Sequence, residues 1–365
     1  MLQLAKPNIT ENAIEEVVKV LRSGNLVQGK KVEIFEKKIA EYIGVKHAIC
    51  VSSGTATLHL SLLALGIGPG DEVIIPALSY IATANVVELV GAKPVFVDVN
   101  LETFNIDVKK IEEAITKRTK AIMPVHEFGL IAEISEIINI ADNYNLFVVE
   151  DAACALGAKE SNKYAGSFGD LGSFSLHPRK AITSGEGGVV TTNNDELAKK
   201  IRILRNHGVD YVDGKMDFVE AGFNYRMTDF QATLVISQLD DFNNALETKQ
   251  TLSSIYLSEI DNPIITLPHI PLNINHTWQT FHILLNSEDK RNELIEYLRA
   301  NGVNSNYGAQ CLPHMTFYQK KYKHNSVIQF PNAYSAYTCG LAIPIHDQLT
   351  IENIKYISQL INKFK

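Results

Sequence analysis

Gly172-Ser173-Phe174-Ser175-Leu176-His177-Pro178-Arg179-Lys180-Ala181-Ile182-Thr183-Ser184-Gly185-Glu186-Gly187-Gly188 reads as a short strand, a loop carrying one lysine, and a glycine-rich turn. The turn leads into a second strand, Val189-Val190-Thr191-Thr192. A lysine held between two strands is what Schiff-base chemistry requires. Its ammonium has to lose a proton, and desolvation plus nearby positive charge lowers a lysine pKa far more easily than an arginine's. Arg179 is adjacent and is expected to point elsewhere. Taken alone, the stretch suits a solvated surface lysine better.

A second segment changes that balance: Leu146-Phe147-Val148-Val149-Glu150-Asp151-Ala152-Ala153-Cys154-Ala155-Leu156-Gly157. An apolar, β-prone run ends in two carboxylates and then small residues. This pattern predicts a buried parallel strand that delivers an acid to the C-terminal edge of a sheet, where open α/β sheets place ligands. A pyridoxal phosphate site needs both parts: an imine-forming lysine, and a carboxylate that keeps the pyridine nitrogen protonated. Asp151 by itself also suits a helix N-cap or a strand-end ion pair.

Further motifs run in order along the chain: Ser23-Gly24 to Gln28-Gly29, Ser52-Ser53-Gly54-Thr55-Ala56, Pro76-Ala77-Leu78-Ser79-Tyr80, Pro124-Val125-His126, and Gly222-Phe223-Asn224-Tyr225-Arg226-Met227. With the two segments above, they resemble the DegT/DnrJ/EryC1/StrS family of sugar aminotransferases, a branch of the fold-type I pyridoxal phosphate enzymes. The likeness spans about residues 5 to 350. It implies an α/β large domain with a mostly parallel sheet and a smaller α+β C-terminal domain.

The resemblance also implies roles. Lys180 holds the cofactor, and Asp151 faces its ring nitrogen. Gly54, Thr55 and Ala56 hold the phosphate, reached also by Ser175. Backbone N–H groups and the dipole at a helix start favour an anion there, although a plain Ser/Thr N-cap is the other use of such a junction. Tyr80 lies over the ring, or is an ordinary core tyrosine. Asn224 reaches the partner subunit's phosphate, which makes the protein a homodimer with shared sites, or it belongs to a simple glycine-asparagine turn. One departure stands out. After Glu-Asp-Ala-Ala the family has histidine or glutamine against the cofactor's phenolic oxygen, and here Cys154 stands, whose thiol is a poor donor.

The implied reaction moves an amino group from L-glutamate to a nucleotide-linked 4-keto-6-deoxy sugar. The amino-sugar product serves surface polysaccharide such as lipopolysaccharide O-antigen. Two alternatives share the scaffold: a keto-sugar dehydratase, which would carry histidine at the lysine position, and a non-catalytic binding protein. The segment Asn304-Ser305-Asn306-Tyr307-Gly308-Ala309-Gln310-Cys311-Leu312-Pro313 is expected near the sugar or nucleotide.

The bulk properties agree. The 365 residues suffice for one large and one smaller domain, placed at 1–245 and 246–365. Lysine and arginine total 34 against 41 acidic residues, so no nucleic-acid partner is expected. Cys50, Cys154, Cys311 and Cys339 are widely spaced, which predicts neither a disulfide framework nor a metal site and fits a reducing cytoplasm. The N-terminus does not read as a signal peptide, and no apolar run is long enough to span a bilayer.

Strand and helix signals alternate from His47–Val51 to Phe147–Glu150, with helices expected at 11–23, 32–43, 56–65, 83–90, 108–115 and 134–144. Beyond about residue 245 the elements shorten. Three decoys are set aside. Gly24 to Lys31 nearly fits a P-loop but lacks the final Ser/Thr, and Gly185-Glu186-Gly187-Gly188 leads into a strand rather than a helix. His126-Glu127 has no second histidine four residues on. His126 is left open between a substrate contact and a strand-end histidine, and His177 between a positioner of the lysine loop and a packed loop residue.

Overall fold

A computed structural model describes residues 1–272 and 274–365. Seven strands build the central sheet: β1 (His47–Val51), β2 (Glu72–Pro76), β3 (Lys93–Val97), β4 (Thr119–Ile122), β5 (Phe147–Asp151), β6 (Leu171–Ser175) and β7 (Gly188–Thr192). Their spatial order is β1-β7-β6-β5-β4-β2-β3. From β6 to β3 all neighbours pair in parallel, and β7 is antiparallel to both β1 and β6. Helices cover both faces, which is why these strands read as continuous apolar runs rather than alternating ones.

Helix α1 (Glu11–Ser23) begins where the Thr10 side chain accepts the Ala13 N–H, and it ends at Gly24, whose φ of 74° no side chain would favour. Helix α2 (Lys30–Ile43) begins after Gly29, which has no side chain to cap it. The cap comes from Asp229, whose carboxylate accepts the N–H groups of Gly29 (2.8 Å), Val32 (3.1 Å) and Lys31 (3.2 Å). Distant parts of the chain are thereby locked together by one charge at a helix N-terminus. Helix α3 (Gly54–Ala64) is buried on most sides, and α4 (Ala82–Leu89) follows β2. The helix expected over 108–115 is instead a 3-10 turn at Val108–Lys110 and a single turn at Ile111–Ala114.

A separate apolar cluster lies beyond residue 250. It packs Leu252, Tyr256 and Phe281 against Leu298, Leu341 and Ile357, around an antiparallel sheet of Ile265–Thr266, Phe281–Leu285 and Gly340–Ile343. The segment between those last two strands returns to the larger core. Gln310-Cys311 pairs with Ser79-Leu78, and Tyr318 Oη donates to Asn85 Oδ1 at 2.7 Å. Asp98 accepts the Ala333 N–H (2.9 Å) at the start of the helix Pro331–Cys339. We keep the division at 245/246 as a proposal. The structural fact is that residues 309–336 contribute to the first core cluster.

The end of β5 carries the sheet's most demanding group. Glu150 is fully buried, and its carboxylate accepts from the N–H groups of Gly166 (2.7 Å), Phe168 (2.7 Å) and Gly169 (2.8 Å). His126 Nε2 lies 2.9 Å from it, while His126 Nδ1 accepts the Ala132 N–H at 3.1 Å. His126 is therefore a strand-end histidine bonded on both nitrogens. Glu150→Gln replaces one acceptor oxygen with an NH2 donor that faces a cage of N–H donors. It is expected to destabilise the protein by about 3 kcal/mol, read as a lowered midpoint in denaturant at unchanged slope.

Candidate active site

A cavity of about 380 Å³ opens at the C-terminal edge of the sheet. Gly54, Thr55, Tyr80, Asp151, Cys154, Ser175 and Lys180 all line it. Ala56 and Asn224 do not. Ala56 is buried and gives its N–H to Ser53 Oγ (3.1 Å), and Asn224 is exposed, bridged to Asn206.

Lys180 hangs from the loop between β6 and β7. The loop is closed by Lys180 N–H to His177 O (2.8 Å) and by Thr183 Oγ1 to Leu176 O (2.8 Å). Gln238 brackets Thr183 on both its N–H (2.9 Å) and its carbonyl (2.8 Å). His177 Nδ1 accepts the Arg179 N–H at 3.2 Å, so His177 helps shape the loop. The lysine Nζ donates to Cys154 Sγ at 3.0 Å. The sequence leads one to expect a lowered lysine pKa, and the structure shows the reverse. Burial pushes the ammonium down, but Cys154, Asp151 and Glu127 around it more than offset that, and the pKa lies above the ordinary lysine value. The groups that act on Nζ are acidic, and among the described residues no cation is one of them.

Asp151 is 4% exposed. Its Oδ2 accepts from Thr83 Oγ1 (2.8 Å) and its Oδ1 from the Ala153 N–H (3.2 Å). Burial raises its pKa, and the two hydrogen bonds and Lys180 work against that rise. A carboxylate held this way gains most from a partner that brings a proton and a positive charge.

The opposite end of the cavity is built for an anion. Ser53 caps α3, and among the described residues the N–H groups of Gly54 and Thr55 find no backbone acceptor. A Cβ on Gly54 would lie 2.8 Å from Ser175 Cβ, so only glycine lets the helix start and the serine hydroxyl converge. Tyr80 stands at the mouth, 59% exposed. Donors at one end, a buried acid at the other and a lysine between them match the phosphate, ring nitrogen and aldehyde of pyridoxal phosphate in kind and in order. The residues fit that group.

Two residues of the site escape sequence reading. Thr83, in the first turn of α4, orients Asp151, and Ser79 Oγ lies 2.8 Å from its hydroxyl. A Ser-x-x-x-Thr pair after a strand was its only signal. Glu127 lines the cavity directly after His126, and its burial leaves no mark in the sequence.

A parallel α/β sheet with this lysine, acid and anion-binding helix start is the framework of fold-type I pyridoxal phosphate enzymes. The sequence profile of the DegT/DnrJ/EryC1/StrS aminotransferase family matches residues 7–362, and the chain belongs to that family. A GDP-perosamine synthase from Caulobacter vibrioides is 40% identical over 359 residues, covering 97% of this chain and 95% of its own. The spore coat polysaccharide biosynthesis protein SpsC of Bacillus subtilis is 35% identical over 368 residues, covering 97% and 94%. Among solved structures, Spr1654 from Streptococcus pneumoniae in its PLP-form is 31% identical with a TM-score of 0.92, covering 99% of this chain and 97% of its own. Helicobacter pylori PseC, an aminotransferase involved in the biosynthesis of pseudoaminic acid, is 28% identical with a TM-score of 0.93, covering 100% and 98%. The chain is a pyridoxal phosphate-dependent transaminase.

Gly54→Ala tests the anion-binding end. The added methyl drives Ser175 away, and cofactor affinity is expected to fall about tenfold or more, read by titrating cofactor-free protein with pyridoxal phosphate.

Proposed function

We propose that this enzyme transfers the amino group of L-glutamate to a nucleotide-linked 4-keto-6-deoxy sugar. The observation that carries the reading is Lys180 Nζ inside a cavity that also holds the buried Asp151 and the free helix start of Gly54 and Thr55. Relatives named for GDP-perosamine synthesis support a nucleotide sugar, with GDP the first nucleotide to try. The wall formed by Ala309, Ala342 and Ile343 supports a deoxy sugar, since an apolar surface favours a methyl group over a hydroxymethyl.

Bound pyridoxal phosphate supplies an electron sink for the bond broken at the carbon that carries nitrogen. The chain's own groups do the rest. Gly54 and Thr55 N–H and the Ser175 hydroxyl bind the phosphate. Asp151, oriented by Thr83 and Ala153, holds a proton on the ring nitrogen. Tyr80 covers the ring at the cavity mouth. Lys180 Nζ leaves its thiol contact and would act as base and acid in both halves: it would take the proton from the α-carbon of the donor and pass it to the cofactor, and in the second half take a proton back and give it to the sugar carbon that receives nitrogen.

Asn224 supports a homodimer in which each cavity is completed by the partner: it is exposed in the single chain and lies away from its own cavity. Among the described residues no helix is long and apolar enough to cross a membrane, which is compatible with the cytoplasmic location we favour. A role in surface polysaccharide draws support from the relative named for spore coat polysaccharide. Lys180 stands against the dehydratase alternative, and the cavity's full set of groups stands against a non-catalytic one.

The test is a half-reaction. Enzyme converted by glutamate and freed of donor is offered GDP-, UDP- and dTDP-linked 4-keto and 3-keto sugars, and return of the visible band is followed. Rapid return with a 4-keto-6-deoxy sugar is expected. Return only with a 3-keto sugar, or with none, refutes the substrate reading. Lys180→Ala is expected to lose turnover by at least about 10⁴-fold and to give no borohydride-fixed adduct.

A further inference from the structure

Glu127 lines the cavity but has no part in the proposed reaction. It is 5% exposed, and among the described residues its Oε2 has no hydrogen-bond partner. The backbone that presents it is strained. Phe128 adopts φ of +56°, a left-handed conformation that a bulky residue disfavours, and Gly129 follows at +101°. A Cβ at Gly129 would lie 2.4 Å from Thr277 Oγ1, so the turn is pressed against its neighbours. Asn105 holds it in place: its Oδ1 accepts the Glu127 N–H (2.8 Å) and its Nδ2 donates to Leu130 O (3.1 Å). A buried carboxyl with one unpartnered oxygen and a left-handed phenylalanine at adjacent positions of a cavity wall are two local costs kept in one place, which points to a ligand.

The surroundings say which part of the ligand. The phenolic oxygen of pyridoxal phosphate sits on the ring carbon next to the one whose substituent meets the lysine. Any group serving that oxygen therefore lies beside Lys180 Nζ. The acidic groups acting on Nζ are Cys154, Asp151 and Glu127. Asp151 serves the ring nitrogen, across the ring, and a thiol is a poor hydrogen-bond partner. Glu127 remains, with a free oxygen. Burial pushes its carboxyl up to about 8, opposed by Lys180 and reinforced by Asp151, so at neutral pH it carries a proton to donate. The other titratable groups facing it are Tyr80, His177, Arg179 and Glu186 in the cavity, and Glu102, His269, His276 and His282 in a small cleft on its far side.

We propose that the Glu127 carboxyl donates a hydrogen bond to the phenolic oxygen of bound pyridoxal phosphate, a contact that Cys154 serves poorly. The inference rests on the cofactor-binding reading of Lys180. A donor at that oxygen draws electron density from it and weakens the hold of the Lys180-linked nitrogen on its proton.

The experiment is a spectrophotometric pH titration of the visible band in the cofactor-loaded wild type, E127Q and E127L. E127L is expected to titrate about one pH unit above wild type, the worth of one hydrogen bond. E127Q keeps an N–H donor and is expected to stay close to wild type. E127L titrating at or below wild type overturns the inference, because no donor, or an ionised carboxylate, then stands at the oxygen. E127Q shifting as far as E127L overturns it too, since a merely structural role predicts that. Should E127L fail to fold, E127M carries the same expectation. A wild type with no borohydride-sensitive band brings down the cofactor reading itself; a normal wild-type band that E127L leaves unmoved brings down the Glu127 inference alone.

Discussion

Two adjacent carboxylates buried at the end of one strand cannot share a face, and the architecture around β5 follows from that. Successive strand side chains point to opposite sides of the sheet. Glu150 falls to one side, where three N–H groups from the 166–169 loop and His126 surround it. Asp151 falls to the other, where among the described residues its hydrogen bonds come from Thr83 and the Ala153 N–H. The first carboxylate is saturated with partners and acts as a structural anchor. The second has fewer partners and lines the cavity. Desolvation separates the roles, and the same strand supplies both.

The sheet and its site meet through contacts between distant parts of the chain. Asp229 caps α2, Asp98 caps the helix Pro331–Cys339, and Gly54 abuts Ser175. The first two fasten helices to distant parts of the fold, and the third lies in the cavity wall itself. The segment around 306–309 lines the cavity because Gln310-Cys311 is paired to Ser79-Leu78, next to Tyr80. The cavity wall at Ala309 and the mouth residue Tyr80 thus flank one small antiparallel contact, which couples the positions of the two.

The local grammar of the fold was legible. The apolar runs at His47–Val51, Glu72–Pro76 and Phe147–Glu150 are strands, and Gly24 and Gly44 end the first two helices. Lys180 and Asp151 could be found because a lysine loop and an acidic strand end are short patterns. What the sequence withheld is pairing across topology. Nothing near Gly29 says that its cap lies at Asp229. Nothing near Val108 says that the expected helix will break into two short turns. His126-Glu127 reads as a polar dipeptide at a strand end, yet both are buried, one saturated and one orphaned. The sign of the lysine's pKa shift was also beyond reach, because it depends on counting acids that converge from two segments outside the lysine's own loop.

That count suggests how the site is charged before and after the cofactor arrives. In the chain alone, one ammonium faces Asp151, Glu127 and Cys154, and it settles against the thiol. The ammonium is stabilised there by the acids and cannot act as a nucleophile. A cofactor that brings a proton on its ring nitrogen gives Asp151 its own cationic partner and removes that carboxylate's claim on the lysine. With the lysine charge gone, the larger of the two attractions favouring an ionised Glu127 goes (the Phe128 N–H is the other), and burial then holds its proton in place. The raised lysine pKa reflects three acidic groups converging on one ammonium, and a cofactor held as proposed would give Asp151 and Glu127 partners of their own.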